Sequence, residues 1–193
     1  MPLQPALGAR DLNPQQVEVN QLLTSKLSNV YTLWGYEEVA PPKIERLETL
    51  MAGGAINNQD ILKVVADEPL GLRPEMTTSV TRVASARFAE KPRPLRLWTS
   101  GTVFKCKEAI EGGIHIEETS QSGIELFGIA EIDAEMELMS ILINGFNILK
   151  ISKSTKPILL LGHAGLMELI LSGFRQEYRN SVRKILSNLD MIK

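Results

Sequence analysis

Residues 120–128 read "SQSGIELFG". In an extended chain, successive side chains alternate faces, so Gln121, Gly123, Glu125 and Phe127 share one side and Ser120, Ser122, Ile124 and Leu126 the other. Ile124 and Leu126 suit a core. The opposite side carries an amide, a gap, a carboxylate and a ring, which fits either a solvated sheet face or a seat for a small polar molecule. Upstream, "LRLWTSGTVFKCK" (95–107) reads as a second long strand, with Thr99, Gly101, Val103 and Lys105 on one face and Trp98 and Phe104 on the other. Two such strands, joined by the loop "EAIEGGIHIEE", predict an antiparallel pair with an apolar back. A polar front is common on solvent-facing sheets. Glycine weakens a strand unless something approaches closely, however, so Gly101 and Gly123 favour a pocket floor.

Outward from this pair the chain alternates helices and strands without a regular βαβ rhythm. Asn13 and Pro14 open a helix, capped and pre-set in φ. Val17, Leu22, Leu23, Leu27, Val30 and Leu33 then recur at helical spacing until Gly35. "YEEVAPPKIE" is extended, because Pro41 and Pro42 bar a helix. A short helix at "LETLMAG", a loop from Gly53 to Asn58, and a hairpin of "ILKVV" and "LGLR" follow. A helix is expected from Thr77 to Phe88 and another over 132–149. "PILLLGH" is expected to be a buried strand, "AGLMELILSGF" a helix, and 175–189 helical. The expected class is α+β, a mainly antiparallel sheet flanked by helices.

The bulk composition excludes several functions. With 23% charged residues and a net charge of -2, the chain lacks the clustered Lys and Arg that phosphate neutralisation needs, so no nucleic-acid partner is expected. One cysteine, Cys106, allows no internal disulfide and fits a reducing compartment. His115 and His163 share no ligand spacing, so no metal is expected; His115 reads as a surface residue and His163 as a satisfied structural histidine or one capping the turn. The N-terminus shows no signal peptide, and the apolar stretch 137–150 is too short and too interrupted to span a membrane. A cytoplasmic location is the expectation.

Three segments carry polar chemistry. In "GLRPEMTTSVTR" (71–82), Arg73 and Glu75 flank Pro74, and Glu75 and Thr77 stand at the mouth of a helix, where a held carboxylate can receive an ammonium. The same segment also reads as a helix start with a threonine cap and a local ion pair. The strand pair supplies the second constellation. The third is the loop from Lys105 to Glu118, in which Lys105 and Lys107 face Glu108, Glu111, Glu117 and Glu118; its charge opposes phosphate binding. No triad, phosphate loop or dinucleotide motif is present.

Taken in order, these segments resemble a known family. "GYEEVAPPKIERLETL" resembles motif 1 of class II aminoacyl-tRNA synthetases, with Pro42 at the family's proline. "LRPEMT" is similar to the "LRPE-x-T" segment of the histidyl branch, "TSGTVFKCK" with "SQSGIELFG" to the two strands of motif 2, and "GARDLNP" to the branch's N-terminal signature. The resemblance covers essentially the whole chain, read as one class II synthetase-like core domain over 1–193. It leaves two candidates, histidyl-tRNA synthetases and their non-catalytic paralogues, the regulatory subunits of short-form ATP phosphoribosyltransferase. The motif 2 arginine that grips ATP falls at Lys105, a point charge without the planar fork. That substitution, the acidic loop, the methionine in "RPEMT" and the "LLLGHAG" segment favour the paralogue.

The resemblance implies roles residue by residue. Glu75, Thr77 and Gln121 match positions that hold the α-ammonium of histidine, and Glu125 the position that receives the imidazole. Residues 121 and 125 lie roughly 13 Å apart along a strand, so inward-leaning side chains can grip one amino acid end to end. Lys105 becomes a degenerate nucleotide-binding position, with no catalytic residue and no cofactor. The implied partners are a catalytic short-form ATP phosphoribosyltransferase subunit, a second copy through the motif 1 region (about 35–50), and free histidine as effector. The alternatives are a histidyl-tRNA synthetase fragment and a stand-alone amino-acid-binding module. Family members run well past Lys193, so the resemblance implies an N-terminal part only, a fragment or a naturally shortened form.

Overall fold

A computed structural model describes residues 3–6, 8–108, 113–130, 132–151 and 158–187. The chain divides into two compact units, 1–154 and 155–193.

The first unit begins as its chemistry dictates. The Asn13 side chain accepts from the Gln16 N–H at 2.9 Å, and the Gln16 side chain accepts from the Asn13 N–H at 3.0 Å. This reciprocal cap and Pro14 start helix α1 (Pro14–Leu33). Gly35, at φ +82°, makes the left-handed turn that follows. The chain then forms strand β1 (Glu37–Glu38), strand β2 (Ile44–Arg46), helix α2 (Leu47–Met51), a 3-10 turn (Asn58–Asp60) and strands β3 (Lys63–Val64) and β4 (Leu70–Leu72). Helix α3 (Thr77–Arg87), strands β5 (Leu95–Glu108) and β6 (Ile114–Phe127), and helix α4 (Ile132–Ile148) complete it.

Two three-stranded sheets result. In one, β5 lies between β1, which runs parallel to it, and β6, which runs antiparallel. In the other, β4 lies between β2 and β3, both antiparallel. The β5–β6 register pairs Leu97 with Glu125, Thr99 with Gly123, Gly101 with Gln121 and Lys105 with Glu117, so these side chains share one face. Helix α3 covers one end of that face, where Val80 and Ala84 pack with Leu95 and Leu97, and Phe127 closes the margin. The opposite face carries Trp98, which joins Val30, Tyr31, Tyr36 and Ile141 in a second core, its ring 5.8 Å from that of Tyr31. Burying each such aliphatic side chain contributes about 1.5–3 kcal/mol. The site face is therefore a layer of core that continues, residue by residue, into polar groups.

The second unit holds helices α5 (Ala164–Ser172) and α6 (Gln176–Ser187). His163 caps α5, its Nδ1 accepting from the Leu166 N–H at 3.1 Å. Arg179 donates to the Phe174 carbonyl at 3.0 Å, and Arg183 pairs with Glu168.

Two expectations are corrected. The loop predicted through residue 118 is largely strand, because β6 begins at Ile114 and Lys107–His115 and Lys105–Glu117 are cross-strand pairs. Opposite charges facing across the ladder, with Lys107 on Glu117 at 2.6 Å, favour pairing over a loop. The predicted buried strand "PILLLGH" is also absent among the described residues. Residues 158–163 belong to no strand, and Ile158, Leu159, Leu160 and Leu161 are all exposed. Apolar composition suits a strand for burial, but a strand forms only where a ladder partner exists. The prediction for 175–189 extends past residue 187 into positions outside the described residues.

Candidate functional site

The site is built where α3 begins over the β5–β6 face. Pro74 ends β4's path, and Glu75 turns back onto the helix mouth. Its two carboxylate oxygens accept the N–H groups of Thr77 and Thr78, at 2.5 and 2.9 Å. The expected threonine cap is thus a glutamate cap, favoured because a negative charge complements unpaired N–H groups at a helix N-terminus. The expected local ion pair between Arg73 and Glu75 is absent among the described residues. Arg73 turns the other way, and its side chain is only 3% exposed.

Arg73 acts as a clasp. Its Nε donates to the Thr102 carbonyl at 3.1 Å and its Nη1 to the carbonyls of Pro41 and Pro42 at 2.8 and 3.3 Å. Its backbone accepts from the Phe104 N–H and donates to the Lys43 carbonyl. Gly101 is glycine because this guanidinium lies over it: a Cβ there would stand 2.7 Å from Nη2 and 3.1 Å from the Met76 methyl. The gap at Gly101 is therefore filled, not a pocket floor. Gly123 is different, since a Cβ there would meet nothing within 4 Å. The opening lies where Gln121, Gly123 and Glu125 alternate, with buried Thr99 opposite Gly123.

Three of the four expected ligand residues meet directly. Thr77 faces Glu125 and favours its ionised form, while the Glu75 charge opposes it. The largest effect is burial, which holds the Glu125 carboxyl above its ordinary pKa of 4.5. Gln121 shares the face of Glu125 two positions along the same side of β6, and its Oε1 is buried with no hydrogen-bond partner among the described residues. A buried acceptor left without a donor is rare and costly, so the seat carries an unmet demand for one. Two neighbouring carboxylates, an unpaired acceptor and a threonine give this face a surplus of acceptors, which a cationic, hydrogen-bond-donating group can satisfy.

Beside it lies a cavity of about 930 Å³ lined by Thr49, Ile56, Glu75, Thr77, Arg82 and Lys105 among others. Gln121 and Glu125 are not on its wall. Lys105 is exposed on the strand end opposite Glu117. Among the described residues no group of three or more His, Cys, Asp or Glu is placed to hold a metal, and no helix is long and apolar enough to cross a membrane. Sequence reasoning missed the Arg73 clasp. Its one local sign was an arginine before a proline at a strand end, and its partners lie about thirty residues away on either side.

Comparison with known proteins shows the family of the chain. The histidyl-tRNA synthetase family model matches residues 8–193. A protein from Synechococcus sp. (strain CC9902), called an ATP phosphoribosyltransferase regulatory subunit, is 58% identical over 192 residues, covering 100% of this chain and 49% of the relative. One of the same name from Prochlorococcus marinus is 55% identical over 193 residues, with the same coverage. The chain spans about half the length of the curated relatives it matches. Among solved structures, an ATP phosphoribosyltransferase regulatory subunit/histidyl-tRNA synthetase from Bacillus halodurans C superposes with a TM-score of 0.83 at 23% identity, over 95% of this chain and 47% of the other. A histidyl-tRNA synthetase from Nostoc sp. PCC 7120 gives 0.77 at 18% identity, over 99% and 45%. The fold is the α+β core of class II aminoacyl-tRNA synthetases, and the chain belongs to the histidyl-tRNA synthetase family.

Proposed function

We propose that this chain is part of a non-catalytic regulatory subunit of ATP phosphoribosyltransferase, serving the first step of histidine biosynthesis. The observation that carries the reading is identity of 55–58% along the whole chain with proteins of that name. The geometry supports it. At the position that matches the synthetase's ATP-gripping arginine stands Lys105, exposed and opposite a glutamate, which is poorly suited to bidentate phosphate binding. Residues 1–193 make up the N-terminal part of one synthetase-like domain. The subunit works in the cytoplasm, pairs with a second copy through about 35–50, and docks on a catalytic phosphoribosyltransferase subunit.

Free histidine is the effector. Glu75, Thr77 and Gln121 receive its ammonium and Glu125 its imidazole. Feedback follows if histidine binds one state of the complex better than another. The test is calorimetry with L-histidine together with ATP–pyrophosphate exchange. Binding that Glu125→Ala weakens at least tenfold, with no histidine-dependent exchange, is the expected result. Absent binding, or unchanged binding in Glu125→Ala, overturns the histidine site, whereas histidine-dependent exchange returns the chain to the synthetases.

A further inference from the structure

Along its outer side, facing away from β6, strand β5 is closed step by step and then left open. The Val39 N–H donates to the Trp98 carbonyl at 2.9 Å, Arg73 Nε donates to the Thr102 carbonyl at 3.1 Å, and the Phe104 N–H donates to the Arg73 carbonyl at 3.0 Å. The β5–β6 register runs unbroken from Leu95 opposite Phe127 to Glu108 opposite Ile114, so backbone groups alternate sides without a bulge. The N–H and C=O of Cys106 therefore point the same way as the N–H of Phe104, and neither meets a backbone partner on that side among the described residues. An unpaired strand edge is a template for a further strand. The matching groups of Ile116, opposite Cys106 on β6, are covered. Gly8, at φ +88°, lies so close that a Cβ there would stand 2.1 Å from the Ile116 carbonyl oxygen.

The open stretch borders the cavity of about 930 Å³, whose wall runs from Cys106 on β5 to Thr81 and Ser85 on α3 and to Leu50 and Ile56. The carboxylates of this wall are engaged. Glu75 spends both oxygens on N–H groups of α3, and Asp60 accepts from the Asn57 amide at 3.2 Å. The cations of the wall keep donors to spare. Arg82 donates from Nε and Nη2 to one oxygen of Glu45, and its Nη1 makes no hydrogen bond among the described residues. Lys105 forms no ion pair among the described residues, and Glu117 opposite it is held by Lys107 at 2.6 Å. A backbone donor and acceptor, an apolar wall and surplus positive charge together call for an occupant that is extended, partly apolar and acidic.

We propose that the catalytic phosphoribosyltransferase subunit docks in this cleft, laying an extended segment with an acidic side chain along the outer edge of β5 at Cys106. This rests on the regulatory-subunit reading above and adds to it the docking surface. Recognition combines two backbone bonds to Cys106 with a carboxylate drawn to Arg82 and Lys105. Main-chain bonds to a strand edge supply affinity, and the side chains beside it supply the choice of partner. A second copy of the chain fits less well. Its aliphatic run at 158–161 belongs to no strand but has no charge to offer Arg82 and Lys105.

The test mixes this chain with the purified catalytic subunit and follows amide hydrogen exchange residue by residue, alongside calorimetry on wild type, Cys106→Pro and Ser85→Trp. Proline is tolerated on an edge strand where its nitrogen faces outward, so Cys106→Pro deletes the donor and keeps the β5–β6 ladder. Complex formation is expected to slow exchange at Cys106 at least tenfold, and Cys106→Pro to weaken binding at least tenfold. Unchanged exchange at Cys106 in the complex, or wild-type affinity in Cys106→Pro, overturns the proposal and leaves the regulatory-subunit reading standing. Where Cys106→Pro shows no cooperative melt, Ser85→Trp, at an exposed helix position, fills the cleft and is expected to cause the same loss; affinity kept there is equally fatal. Slowed exchange that needs no catalytic subunit and grows with chain concentration makes a second copy the occupant and overturns the proposal too. If no complex forms, the docking of a catalytic subunit falls first and this surface with it.

Discussion

Glu125 holds a carboxylate whose charge opposes folding. Burial raises its pKa, so in the folded chain it binds its proton more tightly than in the unfolded one. The sign follows: this group favours folding fully below its unfolded value of about 4.3, and the contribution is lost as pH rises through the folded value. Glu125→Gln is therefore expected to melt above wild type at pH 7–8, with the gap closing as pH falls toward 4. Thermal melts across that range check it, and a variant that melts lower at neutral pH contradicts the assignment. Gln121, Gly123 and Glu125 were legible in the sequence because strand alternation is a local rule. Gly101 was legible as an anomaly only. What fills its space is Arg73, 28 positions earlier, and no local periodicity reports a contact across sheets.

At the scale of elements, α4 is bound to the sheet by a polar clasp. Arg96 on β5 donates twice to Glu137 on α4, at 2.7 and 2.6 Å, and the Tyr36 hydroxyl donates to the same carboxylate at 2.9 Å. The Arg96 hydrogen bond leads in lowering the Glu137 pKa, and burial leads in raising that of Tyr36. Arg96→Ala leaves a half-shielded carboxylate with one partner and is expected to cost about 2 kcal/mol in urea unfolding. Because the Glu137 pKa is depressed in the fold, that contribution is present above about pH 4.3 and disappears as pH falls through the folded value. A loss under about 0.5 kcal/mol at neutral pH, in the range of an ordinary surface pair, contradicts it. Helices with end signals were legible: Asn13 and Pro14 fixed the start of α1 and Gly35 its turn. The long hairpin was underestimated because charged residues read as loop, although cross-strand pairs of opposite charge extend a ladder. The run at 158–161 was overestimated because pattern names a face and not its partner.

For the whole molecule, order of segments was the strongest signal. Four short matches in the right sequence implied the synthetase-like core, and solved structures at 18–23% identity share it. Fold and site differ in what carries them. The fold follows from faces and caps that each segment declares locally, whereas the packing beside the candidate site depends on Arg73, whose partners lie about thirty residues away on either side. The second unit adds a different property. Ile158, Leu159, Leu160 and Leu161 are 66, 51, 67 and 75% exposed, four aliphatic residues in succession with no charge among them. To a protein in a crowded solution, such a run is an adhesive, able to add itself to any open sheet edge it meets. Leu160→Lys is expected to slow the growth of turbidity in concentrated samples while leaving L-histidine affinity unchanged; equal turbidity in both assigns the stickiness elsewhere. The consequence belongs to solution behaviour: four exposed aliphatic side chains in a row favour self-association as concentration rises.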